Sequence, residues 1–134
     1  MNTVEDNIAR ARSTMEPGAG LQPLFDALAE DVVLSVTVAE GTPISGEFRG
    51  RDAVIQYFET LGEVGEFDPF VRPLEYFASG NRVVILGEER FNIKKTGASG
   101  STDFAFVYDF LDGLVTRLLF IEDTSAIADA YRSG

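Results

Sequence analysis

Apolar positions along the chain change their period several times, and each change predicts an element. Val4, Ile8, Ala11 and Met15 recur at helical spacing, and the Pro and Gly of "EPGAG", residues 16–20, end that helix. Leu21, Leu24, Phe25 and Leu28 repeat at i, i+3, i+4 and i+7. They predict a second helix, with Pro23 tolerated in its first turn because backbone donors there lack intrahelical partners. In "VVLSVTVA", residues 32–39, Leu34, Val36 and Val38 alternate with Ser35 and Thr37, the period of a strand with one buried face. "EGTPISGEFRG", residues 40–50, reads as a loop. A third helix follows in "RDAVIQYFETL", where Val54, Tyr57, Phe58 and Leu61 share a face.

From Phe70 onward the period is two. Strands are expected at Phe70–Ala78, Arg82–Lys94, Thr102–Leu111 and Leu114–Ile121, separated by "SGN", "KTGASG" and "DG", which makes an antiparallel meander. In "EDTSAIADAY" either Asp123 or Thr124 caps a short closing helix that carries Ile127 and Tyr131 one turn apart. No repeat, low-complexity tract or linker interrupts this order, so residues 1–134 read as one α+β domain.

Composition narrows the chemistry. The chain has 134 residues, 45% of them hydrophobic, and no apolar stretch approaches the ~20 residues that cross a bilayer, so no membrane partner is expected. The start "MNTVEDNIARARS" is acidic and polar, with no basic segment leading into an apolar run, and a cytoplasmic location is expected. Cys and His are both absent, which removes disulfides, thiolate nucleophiles, the imidazole base and the commonest metal ligand. With 11 basic and 22 acidic residues the net charge is −11, which repels phosphate backbones, so no nucleic acid partner is expected. No glycine-rich phosphate loop, metal-ligand cluster or Ser/His/Asp arrangement is present. Any chemistry is therefore expected to run without cofactor or metal.

The order of elements, together with "LFDALAEDVVLSVT", "GRDAVIQYFETL", "RVVILGEERF" and "FVYDFLDGLVTRLLFIEDTSAI", resembles the SnoaL-like branch of the nuclear-transport-factor-2-like superfamily. The resemblance implies a cone-shaped α+β barrel, with helices on the concave face of a curved, mostly antiparallel sheet around a deep pocket. Members include ketosteroid isomerases, polyketide cyclases, limonene epoxide hydrolases and non-enzymatic binders. Set beside the ketosteroid isomerases, the general-base Asp falls at Val36, the donor Tyr of the first helix falls near Arg12, and the donor acid of a later strand falls at or beside Phe106. A His common in SnoaL-like relatives also falls at Phe106. All of these catalytic positions depart from the pattern.

Strand alternation proposes a replacement. Val83, Ile85, Gly87, Glu89, Phe91 and Ile93 share one face of the long strand, and the superfamily comparison turns that face inward. Glu89 is then a pocket carboxylate, with Gly87 leaving room for a ligand and Phe91 excluding water, and its pKa is expected to rise. The alternative is a register shifted by one, or a solvated Glu89 paired with Arg82, Arg72 or Arg117. The same parity turns Leu118, Phe120 and Glu122 inward and makes Glu122 a candidate second carboxylate; alternatively Glu122 and Asp123 only begin the closing helix. Tyr57 and Tyr108 are candidate hydroxyl donors or plain core, while Asp103 and Arg12 read as outward and solvated.

Phe91, Phe104, Phe106, Tyr108, Phe110 and Phe120, with Val36 on the first strand, would line an apolar, aromatic cavity suited to a hydrophobic small molecule. Val84, Leu86, Ala105, Val107, Leu111, Leu119 and Ile121 make the opposite sheet face apolar too, and a homodimer through that face is expected. Two functional readings follow. One is a cofactor-independent isomerase, cyclase or hydrolase with Glu89 as acid or base and Glu122 in support. The other is a non-catalytic small-molecule-binding protein of the same fold.

Overall fold

The computed structural model describes residues 3–123 and 126–132. In chain order these form α1 (Val4–Thr14), α2 (Gln22–Ala27), β1 (Leu28–Val36), β2 (Gly46–Arg49), α3 (Arg51–Val64), β3 (Gly65–Asp68), β4 (Glu75–Ser79), β5 (Arg82–Ile93), β6 (Ser99–Leu111), β7 (Leu114–Glu122) and α4 (Ala126–Arg132).

Local chemistry sets the boundaries. The Thr3 hydroxyl accepts from the Asp6 N–H at 3.0 Å and the Asp6 carboxylate accepts from the Thr3 N–H at 3.3 Å, a reciprocal cap that starts α1. Pro23 sits in the first turn of α2, as its missing N–H allows. Between β6 and β7, Asp112 and Gly113 both take positive φ (52° and 81°), the two-residue turn whose twist matches paired strands. The Asp123 carboxylate accepts from the Ala126 N–H at 3.1 Å ahead of α4, while Thr124, the other expected cap, lies outside the described residues.

The strands form one mixed, curled sheet in the order β2-β1-β7-β6-β5-β3, with β4 also on β5. β4 to β7 are the expected antiparallel meander, and β1 closes the sheet by running parallel to β7. β5 shares one edge between two partners: β4 takes Arg82–Leu86 and β3 takes Arg90–Ile93. That division lets the sheet bend around Gly87–Glu89 and close into a half-barrel with the helices on its concave side, the cone-shaped α+β fold.

Inward positions are almost uniformly buried: Val32, Leu34 and Val36 on β1, Val83 and Ile85 on β5, Phe104 to Phe110 at alternate positions of β6, and Leu118 and Phe120 on β7. α1 contributes Ala11 and α3 contributes Val54, Tyr57 and Phe58 to the same core.

Several elements differ from the sequence-based expectation. The loop 40–50 contains β2, whose four residues pair with Val33–Val36; their mostly exposed side chains leave no apolar alternation to read. β1 begins at Leu28, so the second helix is shorter than its apolar spacing suggests. α3 runs to Val64 and passes directly into β3, four residues too few to establish a period. The strand expected from Phe70 begins only at Glu75, after Pro69 and Pro73.

Candidate active site

A cavity of about 560 Å³ opens between the concave sheet face and the helices. Phe106, Tyr108, Phe120, Glu89 and Glu122 come to it from the sheet, Tyr57, Phe58 and Leu61 from α3, and Thr14 and Met15 from the end of α1. The segments 16–21 and 65–70 form further wall, together with Leu24, Val38, Ile44 and Ile127. Its lining is mostly apolar, the combination expected of a pocket for a small hydrophobic molecule.

Glu89 is the most buried carboxylate, 6% exposed, on the inward face of β5 opposite Thr102 of β6. Glu122 arrives from β7, where it lies opposite Phe104 of β6. The two side chains lean across β6 until their carboxyls are within hydrogen-bonding reach of each other. Neither has a salt-bridge partner among the described residues. Arg72, one of the cations that could have paired with Glu89, instead reaches Glu75, Glu88 and Asp103 on the outside, and Arg82 is bonded to Asp109.

Burial and proximity have the expected electrostatic consequence. Loss of water, then the facing Glu122 and the more distant Asp68, raise the Glu89 carboxyl from 4.5 to about 9. Burial raises Glu122 to about 7, the hydrogen bond from Glu89 working in the opposite direction. The two titrate as a pair, so between those values they hold one proton in common.

Hydroxyl groups hold the end of β7 in place. The Thr37 hydroxyl donates to the Glu122 carbonyl at 3.1 Å and accepts from the Glu122 N–H at 2.9 Å, while the Thr102 hydroxyl accepts from the Asp123 N–H at 3.0 Å. Glu122 therefore extends the inward parity of β7 rather than beginning the closing helix. Tyr57 lies 4% exposed on α3, and burial, then Glu122 and Glu89, push its phenol well above its ordinary range. Its hydroxyl has no hydrogen-bond partner among the described residues, which leaves it available to an occupant of the cavity. Tyr108 is different: Thr14 donates its hydroxyl proton to the Ala11 carbonyl at 2.7 Å, so Tyr108 is the donor in the 3.0 Å bond between the two hydroxyls.

The aromatic wall is continuous. Phe104 stacks on Phe106 at 4.1 Å between centroids, Phe106 meets Phe120 at 4.3 Å, and Phe120 lies 6.2 Å from Tyr57 and 6.0 Å from Phe58. Of the residues expected to line the pocket, Tyr57, Phe106, Tyr108 and Phe120 do so together with Glu89 and Glu122. Phe104, Phe91, Phe110 and Val36 do not. Phe104 and Leu74 fill the space over Gly87 so closely that a Cβ there would come within 2.5 Å of the Phe104 ring, which corrects the expectation that Gly87 leaves room for a ligand. Phe91 covers Gly100, and Val36 is buried in the core. Arg12 lies outside the pocket with its guanidinium 4.3 Å over the Tyr76 ring. Thr14, Leu24, Val38, Ile44 and Phe58 were not singled out from sequence; continuing the Val36 parity by one step would have found Val38.

The fold has counterparts among known proteins. Residues 18–118 match the family described as the SnoaL-like domain. The chain belongs to the SnoaL-like family. None of the curated proteins matches it. A nuclear-transport-factor-2-like protein of Burkholderia xenovorans superposes with a TM-score of 0.84 at 24% identity, covering 97% of this chain and 98% of that one. A protein proposed to be a polyketide cyclase from Xanthomonas campestris gives 0.72 at 18% identity, covering 87% and 90%. TerC, crystallised with polyporic acid, gives 0.77 at 22% identity, covering 96% and 99%. At these identities the likeness establishes the fold, while function has to be argued from the residues of this SnoaL-like cavity.

Proposed function

We propose that this SnoaL-like protein is a cofactor-independent acid/base catalyst acting on a hydrophobic small molecule, an isomerase, cyclase or hydrolase in which Glu89 and Glu122 work as a pair. The observation that carries the reading is the approach of two buried carboxyls within an apolar cavity, with no cation among the described residues lining it to balance them. Such a pair keeps one proton near neutrality, so the same site holds an acid and a base. Glu89, the more buried member, is the donor. Glu122 is the ionised acceptor, held by Thr37. In a proton shift beside a carbonyl, Glu122 takes the proton from carbon while Glu89 delivers its own to the oxygen. Return of the two protons regenerates the pair, with no net exchange of atoms. Tyr57 supplies an unengaged hydroxyl to orient the polar end of the substrate, and Phe106 and Phe120 hold its apolar body.

The names of structural neighbours support the reading only as precedent, one being proposed as a polyketide cyclase and another, from Bacillus subtilis, as an isomerase. A binding role is the second reading, favoured by the occupation of the usual catalytic positions by Val36, Phe106 and an outward-facing Arg12. A screen of enones and epoxides for turnover, run in parallel with ligand-induced thermal stabilisation, separates the two. Catalysis requires that Glu89→Gln abolish turnover while the ligand still stabilises the fold. Ligands that stabilise the protein with no turnover of any substrate would establish the binding role instead.

A further inference from the structure

The charged side chains that line the cavity have one sign. Glu89 and Glu122 face each other inside it and Glu16 lies in its wall, while no Lys or Arg contributes to the lining among the described residues. Asp68 of β3 adds to the negative field at Glu89. An independent feature points to an occupant at the same spot: Tyr57, 4% exposed, lines the cavity beside the two carboxyls with its hydroxyl unpartnered among the described residues. Phe58, Phe106 and Phe120 complete the surroundings, and aromatic faces are themselves attractive to cations.

We propose that the cavity is a binding site for a hydrophobic ligand bearing a single positive charge, an alkyl or aryl ammonium, seated with its nitrogen at Glu89, Glu122 and Tyr57 and its apolar body against Phe106 and Phe120. The inference rests on reading this cavity as the functional site, and it specifies the charge that the site accepts. An anionic ligand would meet two carboxyls and no compensating cation among the described residues. A neutral one would fill the apolar part but leave the pair's charge unbalanced. An ammonium supplies donors to two carboxyls and a phenol oxygen, and its single charge balances the pair while the carboxyls keep the one proton they share. If the ligand binds when both carboxyls are protonated, one proton leaves to the buffer. Binding of the cation therefore tightens as pH rises through neutrality. The titratable groups facing the nitrogen are Glu89 of β5, Glu122 of β7 and Tyr57 of α3, with Asp68 of β3 acting on Glu89 from further away.

The test is isothermal titration calorimetry of the full chain with three probes that share one ring system: naphthylmethylamine, naphthalenemethanol and naphthoate. Each is run at about pH 6 and about pH 8 in buffers of different ionisation enthalpy. The amine is expected to bind at least about tenfold more tightly than the alcohol, and naphthoate more weakly than either. The amine should also bind more tightly at the higher pH, releasing a proton at the lower one. Glu122→Gln should bring the amine down to the level of the alcohol while the alcohol is unaffected. Equal binding of amine and alcohol, a preference for naphthoate, or no binding of any probe would overturn the proposal, and this ranking in the unmodified protein decides even if Glu122→Gln does not fold. An amine preference without turnover of any neutral substrate would remove the catalytic reading and leave the cation site standing. Turnover that depends on Glu89, without an amine preference, would do the reverse.

Discussion

Glu89 and Glu122 meet although their strands are not hydrogen-bonded to each other. β6 runs between β5 and β7, with Thr102 opposite Glu89 and Phe104 opposite Glu122, so the carboxyls converge diagonally over the central strand. The inward curl of the sheet makes that convergence possible, and the two hydroxyl bonds from Thr37 hold the Glu122 end of it.

The pair makes stability depend on pH in a defined direction. In the folded chain Glu89 is raised to about 9 and Glu122 to about 7, both from 4.5. Over that interval the native state holds more protons than the unfolded chain, so stability falls as pH rises. The contribution is fully present below about 4.5, and is lost as pH passes first the Glu122 and then the Glu89 value. Thermal midpoints measured across this interval should decline by a few degrees in the unmodified protein. They should decline less steeply in the Glu89→Gln, Glu122→Gln double variant. Equal slopes would show that the carboxyls are not the source.

Thr37→Val removes a hydroxyl that bonds both backbone groups of Glu122. The expected cost is about 1–3 kcal/mol, because the paired N–H and C=O lose a partner in a part-buried site. If Thr37 positions the base Glu122, kcat should fall with KM little changed, and Thr37→Ser should restore it. A Thr37→Val variant that loses stability but keeps its pH–rate profile would make Thr37 purely structural.

Much of this arrangement was legible in the sequence. Alternation in β5, and in β7 from Leu118 onward, turns Glu89 and Glu122 to the same side as Ile85 and Phe120, because a period of two leaves little freedom once one face is buried. What parity cannot convey is which inward positions face a cavity and which face other side chains. Phe104 and Phe106 have identical parity, yet Phe104 packs over Gly87 while Phe106 borders open space. Leu74 also reaches Gly87, from a stretch whose period of two reads as strand although β4 begins only at Glu75. β2 and β3 escape for a different reason: four residues at a sheet edge, each with a single phenylalanine, are too few to carry a hydrophobic period.

Gly87→Ala tests that packing. The added Cβ would press on Phe104 and Leu74, and an overpacked core of this kind costs about 1–3 kcal/mol. Chemical denaturation should register the loss. A variant as stable as the parent would mean that the Phe104 ring moves aside readily, opening space next to Glu89.

On the outer face of the sheet, Phe77, Val84, Val107 and Leu119 form a row of directly paired residues across four strands, with Phe77 54% exposed. A second row, Leu86, Ala105 and Ile121, runs beside it. We propose that a second copy of the chain covers this surface, since an apolar patch rimmed by charges of both signs, Arg82 with Asp109 and Arg72 with Glu88, is complementary to itself. Sedimentation should give a dimer for the unmodified chain and a monomer for Val107→Glu. A monomeric parent at high concentration would rule this out.

The most direct test of the account is the carboxyl titration of Glu89, followed by carbon-detected NMR and assigned by comparison with Glu89→Gln. A buried, proton-sharing Glu89 should show a midpoint far above 4.5, near 9, that moves down in Glu122→Gln, where the repelling charge is gone. A midpoint at or below 4.5, unchanged by Glu122→Gln, would mean a solvated or ion-paired carboxylate and would contradict the shared proton on which the proposed chemistry depends.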